Sequence, residues 1–283
     1  MSISSKTTKI ATLIAIITIA GFFIYKGTAG PMKIITTGSS TVKIVSGLTS
    51  AKINMPDTNR LTSGLVGYWT MDGQDTNWGT NTTNDRSGNS NTGTMTNMAT
   101  TTSPVPGVAG QGMYFDGIND LINVDQVDLY DNIPTISVSL WFKINQLSSV
   151  KGENQVLIRK RHSSTPFSSW IMRLSSSNDK LGFVVINSSA TTVTEESDSA
   201  LETRRWYHAV GVYDGSNMTL YMDGIVASSP SSQTGTIYNS NSTLFIGATD
   251  VSLLRTNGTI DEVRVYNRVL SQAEITELYN MGR

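Results

Sequence analysis

From Gly64 to the C-terminus, short runs of alternating apolar and polar residues are separated by Asp-Gly, Asn-Gly, Ser-Gly and clusters of Asn, Ser and Thr. A turn signal about every ten residues leaves no room for a helix of ordinary length before residue 271, and it specifies many short antiparallel strands. The stretch "WYHAVGVYDGSNMTLYMDGIVAS" shows the pattern best. Its Asp214-Gly215 and Asp223-Gly224 pairs accept the positive φ that tight hairpins need, so the stretch reads as a three-strand meander. His208, Val210 and Val212 share one face, and Leu220 and Met222 share another. "TISVSLWFKI" alternates in the same way and sets Ile136, Val138, Leu140, Phe142 and Ile144 on one side. About 220 residues of this texture make one large sandwich or barrel.

The last strand-like run, Thr259 to Tyr266, carries Asp261 and Glu262 side by side near its start and then gives way to a helix. Ser271-Gln272-Ala273-Glu274 is a capping box, with Leu270 and Ile275 placed as a hydrophobic staple. Ile275 and Leu278 form an apolar stripe that Gly282 ends, and the expected role of so short a helix is to cover a sheet edge or corner.

At the other end, Lys6 and Lys9 precede an apolar run from Ile10 to Tyr25, followed by Lys26 and Gly27-Thr28-Ala29. Residues 1–30 therefore read as an export segment: a cleaved signal peptide with a small-x-small site, or a short membrane anchor whose flanking lysines snorkel. Either version puts the rest of the chain outside the cell. Residues 31–63 are rich in Ser and Thr and poor in aromatics, which suits a stalk or linker. The alternative is that "TVKIV" and "AKINM" add strands to the main sheet or to a neighbouring copy.

Composition excludes several functions. A net charge of −1 supplies no field to gather nucleic acid. Zero cysteines remove disulfides, thiolate metal sites and thiol nucleophiles, and two histidines, His162 and His208, leave little for imidazole chemistry. "IDEVR" puts its two acids on opposite faces of a regular strand, and "EESD" at Glu195 to Asp198 falls in a polar loop, so neither offers the paired acids of a glycosidase.

The motifs "GLVGYWTMDG", "DRSGNSNTGT", "GQGMYFDGINDLINV", "ISVSLWFKI", "RWYHAVGVYDGSNMTLYMDGIVAS", "LFIGA" and "GTIDEVRVYNRVLSQAEITELY", in this order, resemble the laminin-G-like jelly-roll domains of the concanavalin A-like superfamily. The resemblance covers residues 64–283. It implies an all-β, two-sheet antiparallel sandwich with a short C-terminal helix, in which many members hold calcium. In a jelly roll the first and last strands commonly adjoin, which would bring Asp72 near Asp261 as metal ligands, with Asp85 in the oxygen-rich "DRSGNSN" loop as a further candidate. The alternative is that Asp261 accepts hydrogen bonds from loop amides while Glu262 faces solvent.

Trp69, Trp141, Trp170 and Trp206 occupy strand-like positions and read as packing residues. Trp78, in the polar stretch "GQDTNWGTNTTNDRSG", is the candidate to stack on a sugar, or else to tether its own loop. The fold hosts lectins, adhesion modules, enzymes and spacers, so the resemblance alone does not choose among them. The expectation is a non-enzymatic, exported or membrane-anchored module that binds glycan or a surface protein. Its rivals are a structural element that self-associates through its sandwich and residues 31–63, and a glycan-active enzyme.

Overall fold

A computed structural model describes residues 33–36, 41–46, 49–54, 60–125, 133–161, 168–239, 243–249 and 254–283. The apolar run of residues 10–25 and His162 lie outside them. Among the described residues no helix is long and apolar enough to cross a membrane.

The chain divides into two compact units, Met1–Arg60 and Leu61–Arg283. In the first, β1 (Lys33–Thr36), β2 (Thr41–Ser46) and β3 (Thr49–Asn54) form an antiparallel sheet in the order β1-β2-β3. These strands fall in the segment whose sequence suits either a linker or pairing strands.

The second unit opens with β4 (Leu65–Trp69), β5 (Thr76–Asn77), β6 (Thr82–Thr83), β7 (Gly93–Thr96), β8 (Pro104–Pro106), β9 (Gln111–Asp116), β10 (Leu121–Val124) and β11 (Ile136–Ile144). A single helical turn, α1 (Ser148–Lys151), leads to β12 (Gln155–Arg161), β13 (Ser168–Leu174), β14 (Lys180–Ile186) and β15 (Thr192–Ala200). The meander follows as β16 (Tyr207–Tyr213), β17 (Asn217–Met222) and β18 (Ile225–Val226). Then come β19 (Ser231–Ser232), β20 (Leu244–Ile246), β21 (Asn257–Tyr266) and α2 (Gln272–Met281).

Sheet I has the order β15-β14-β13-β12-β20-β10-β7-β6-β5, and sheet II the order β18-β17-β16-β11-β21-β9-β8, with β19 on β17 and β4 on β21. The alternation explains how they pack. Ile136, Val138, Leu140, Phe142 and Ile144 all enter the principal core, together with Leu220 of β17 and Trp170, Met172 and Phe183 of sheet I. Trp69 and Trp170 are fully buried there. A Cβ at Gly211 of β16 would lie 2.5 Å from the Phe183 ring, so glycine lets the facing sheet press an aromatic onto the strand backbone. The Asp223-Gly224 turn has positive φ at both residues, 51° and 82°, as a two-residue hairpin requires.

Helix α2 corrects one expectation: it covers a sheet face rather than an edge. Val210, Val212 and Tyr266 point away from the principal core, and Leu270, Ile275 and Leu278 bury against them. The capping box is complete, with the Glu274 N–H donating to Ser271 Oγ (3.4 Å) and the Ser271 N–H to Glu274 Oε2 (2.8 Å). Burial alone would raise the Glu274 carboxyl, but hydrogen bonds from Arg268 and Ser271 outweigh it and hold it at about 2.

Candidate functional site

Strand β21 changes neighbours halfway along. On one side it keeps β11, while on the other Asn257–Ile260 pair with β9 and Val263–Tyr266 pair with β4. Asp261 and Glu262 occupy the handover. Between Ser139 and Trp141 of β11 the register slips by one residue, and Glu262 takes a positive φ of 52°, so the strand bulges. Ile260 and Val263 both enter the principal core, with two residues between them instead of one. The two acids are therefore excluded from the core together, rather than pointing to opposite faces as a regular strand would have them.

Asp261 is fully buried and turns to the loop joining β8 to β9. Its Oδ2 accepts the N–H groups of Val108 (2.7 Å) and Ala109 (3.2 Å), while Oδ1 is buried without a partner. Burial pushes its carboxyl up to about 7, against the pull of those N–H groups. Asp72 reaches the same loop, with Oδ1 accepting from Gln111 N at 2.7 Å. Neither Gly107 nor Gly110 has space for a Cβ, because the Asp261 and Asp72 carboxylates stand there.

Glu262 is buried too, which corrects the expectation that it faces solvent. It pairs with Arg264 at 2.5 Å and accepts the Tyr68 hydroxyl at 3.0 Å, while the Arg264 guanidinium lies 4.0 Å from the Tyr68 ring centre. Nearby, His208 Nε2 meets Ser139 Oγ at 3.0 Å, and its ring lies against Trp141 and Tyr279 of α2. Burial, then Arg264, drives the imidazole down to about 3.

This arrangement does not fit calcium. The turn offers N–H groups to the two carboxylates where a cation would need oxygens, and no three Asp, Glu or His side chains converge as a metal site among the described residues. Asp85 is elsewhere and saturated: Oδ1 accepts from Tyr68 N and Ser87 N, and Oδ2 from Ser87 Oγ and Asn91 N. It orders the "DRSGNSN" loop against β4. Trp78 is partly buried and packs on the principal core. Trp206 is half-buried, with Lys143 Nζ 4.8 Å from its ring centre.

An open cavity among the described residues of the second unit lies where sequence patterning gave no cue. A cleft of about 320 Å³ separates the last residues of β15, the end strand of sheet I, from β17 and β18 at the end of sheet II. Asp198 N donates to Ala227 O (2.9 Å) and ties its walls together. Arg205 lies over the Tyr207 ring and pairs with Asp223 at 2.9 Å, while the other oxygen of Asp223 accepts His208 N at 3.0 Å. Ile225 (69 % exposed) and Val226 (49 %) form an apolar lip. Glu195 to Asp198 lie in strand β15, correcting their reading as a loop. Glu195 faces inward and is 2 % exposed.

Two antiparallel sheets packed face to face, with one short C-terminal helix, define the class of jelly-roll β-sandwiches. Residues 115–276 match the family model described as concanavalin A-like lectin/glucanases superfamily, laminin G group, and the chain belongs to that family. No curated protein matches in sequence. Among solved structures, domain 4 of the extracellular arabinanase AbnA from Geobacillus stearothermophilus, in complex with arabinotriose, is 19% identical with a TM-score of 0.58, covering 77% of this chain and 98% of that one. The binding domain of Paraclostridial Mosquitocidal Protein 1 is 16% identical with a TM-score of 0.60, covering 78% of this chain and 53% of that one. The botulinum neurotoxin serotype D ligand binding domain, in complex with N-acetylneuraminic acid, is 14% identical with a TM-score of 0.57, covering 78% and 51%. This chain thus spans about half the length of the two toxin domains. At these identities the likeness is one of fold.

Proposed function

We propose that the second unit is a non-catalytic glycan-binding module, presented outside the cell by the N-terminal segment, and that glycan docks in the cleft between β15 and β18. The observation that carries this reading is the cleft's lining. An apolar lip beside the Arg205–Asp223 pair and the exposed Asp198 and Glu202 combines what a sugar ring requires: a surface for its C–H face and polar partners for its hydroxyls. Support also comes from the fold, which the arabinotriose-bound and N-acetylneuraminic-acid-bound domains share.

The test is a glycan array with the full chain, followed by titration of any hit against Arg205→Ala and Val226→Asp. Loss of at least tenfold in affinity in both variants, with unchanged circular dichroism, is expected. An array silent at millimolar glycan, or a hit indifferent to both variants, overturns the reading. The exposed Ile225 and Val226, which are the end strand β18 of sheet II, favour a second reading, self-association through this edge. Sedimentation showing a dimer that Val226→Asp dissociates would select it.

A further inference from the structure

The net charge of −1 conceals a division along the chain. Residues 1–56 hold six lysines and no acid, and all 22 acidic residues lie from Asp57 onward. Asp57 and Arg60 cancel, so the first unit, Met1–Arg60, carries +6 and the second, Leu61–Arg283, carries −7. A split of this kind points to a partner of opposite charge for the basic part.

The register of the first unit sorts its residues by chemistry. Lys33 pairs with Val45, Ile35 with Lys43, and Lys43 in turn with Lys52. Paired residues share a face and successive ones alternate, so Lys33, Lys43 and Lys52 fall on one face of the sheet and Ile34, Ile44 and Ile53 on the other. Like charges directly opposite each other, as at Lys43 and Lys52, are unfavourable, and an anion laid against them relieves this. A three-stranded sheet also depends on its apolar face being covered.

We propose that this sheet docks on an anionic lipid bilayer, with its apolar face at the acyl boundary and its lysine face level with the headgroups. A soluble polyanion would satisfy the lysines and leave the apolar face in water. A second copy stacked on the apolar face would leave Lys43 and Lys52 opposed. An anionic bilayer meets both demands, in the way an amphipathic helix lies in the interface plane. The neighbouring sequence agrees. The apolar run from Ile10 to Tyr25 is shorter than the roughly 20 residues that span a bilayer, and a weak anchor holds firmly only with a second, polybasic signal. Lys33 follows Tyr25 by eight residues, at most about 29 Å of chain, so the sheet is within reach of any membrane that takes up the run. The second unit, at −7, is repelled by the same surface and adds nothing to the attraction. The inference is independent of the glycan-binding reading.

The experiment is flotation of the full chain with vesicles of phosphatidylcholine alone or mixed with phosphatidylglycerol, at low and at 0.5 M salt, with heparin as a soluble polyanion for comparison. At least tenfold tighter binding to the anionic vesicles is expected, and high salt should abolish the difference. Lys43→Gln/Lys52→Gln should reduce that preference severalfold, and adding Lys33→Gln should remove most of it, with binding to neutral vesicles unchanged. Lys43→Arg/Lys52→Arg and Lys6→Gln/Lys9→Gln should each keep most of it. If the glutamine variants do not fold, the salt dependence of the wild type carries the test. Equal binding to the two vesicles, or a preference that survives loss of all three lysines, overturns the inference. Heparin binding without a preference between vesicles overturns it in favour of a soluble polyanion, and a dimer that Ile44→Ser dissociates, again without that preference, overturns it in favour of a second copy. Each of these outcomes leaves the glycan array to decide the reading of the cleft.

Discussion

Asp72 and Asp261 hold one four-residue turn from its two ends: Asp261 takes the N–H groups of Val108 and Ala109, and Asp72 takes that of Gln111. Asp72 follows the first strand of the sandwich and Asp261 lies in the last, so the pair closes the seam where β21 passes from β9 to β4.

The buried groups of this seam give opposite pH dependences. Asp261 has its carboxyl raised to about 7, so the folded state binds its proton more tightly than the unfolded chain does. Its contribution is full near pH 4 and is lost as pH rises to 7. His208 is lowered to about 3, so its contribution is present above pH 6.5 and is lost as pH falls towards 3. Denaturant titrations from pH 4 to 7 should show Asp261→Asn gaining on the wild type with rising pH and His208→Gln losing ground. Parallel curves for both variants would show that neither group titrates as its burial requires.

Calcium should leave the fold unmoved. With the turn's N–H groups bound to the carboxylates, the melting temperature should be the same in saturating calcium and in excess chelator. A rise of several degrees in calcium, abolished by Asp72→Asn, would mean that the turn opens to admit the ion.

Trp78→Ala should act on stability. Its ring is partly buried against the core, so truncation should cost about 1–3 kcal/mol in a denaturant titration, with glycan affinity within twofold of wild type. A large loss of binding at unchanged stability would restore the loop's tryptophan as a sugar platform.

Gly211→Ala should destabilise by about 1–3 kcal/mol, because a methyl there meets the Phe183 ring and the sheets cannot move apart locally. Pairing it with Phe183→Leu should recover part of the loss. A neutral Gly211→Ala would show that the ring turns aside at little cost.

What was legible in the sequence was local. The five alternating residues of β11 all reach the core, because a half-buried strand writes its face into every second residue. The capping box closes as written, since its partners are three residues apart. The bulge at Glu262 was hidden because nothing in a non-glycine residue announces a positive φ, and one inserted residue reverses the inside-outside assignment of its neighbours. Glu195 was hidden for a related reason: "TVTEESDSA" is an end strand with polar residues at most positions, so its alternation is not hydrophobic. The cleft was beyond any local pattern, because its walls come from the ends of two different sheets.

Leu65 stands opposite Tyr266, so the chain enters the second unit and leaves its last strand at the same corner. Leu61 and Leu65 pack on the cluster that α2 covers. Helix α2 then carries the chain away from that corner, so the module ends with Gly282 beside Trp141 and Val108. The module would be a poor mechanical link: tension between its two ends peels α2 away and then opens the β4–β21 ladder one rung at a time, as a zipper opens.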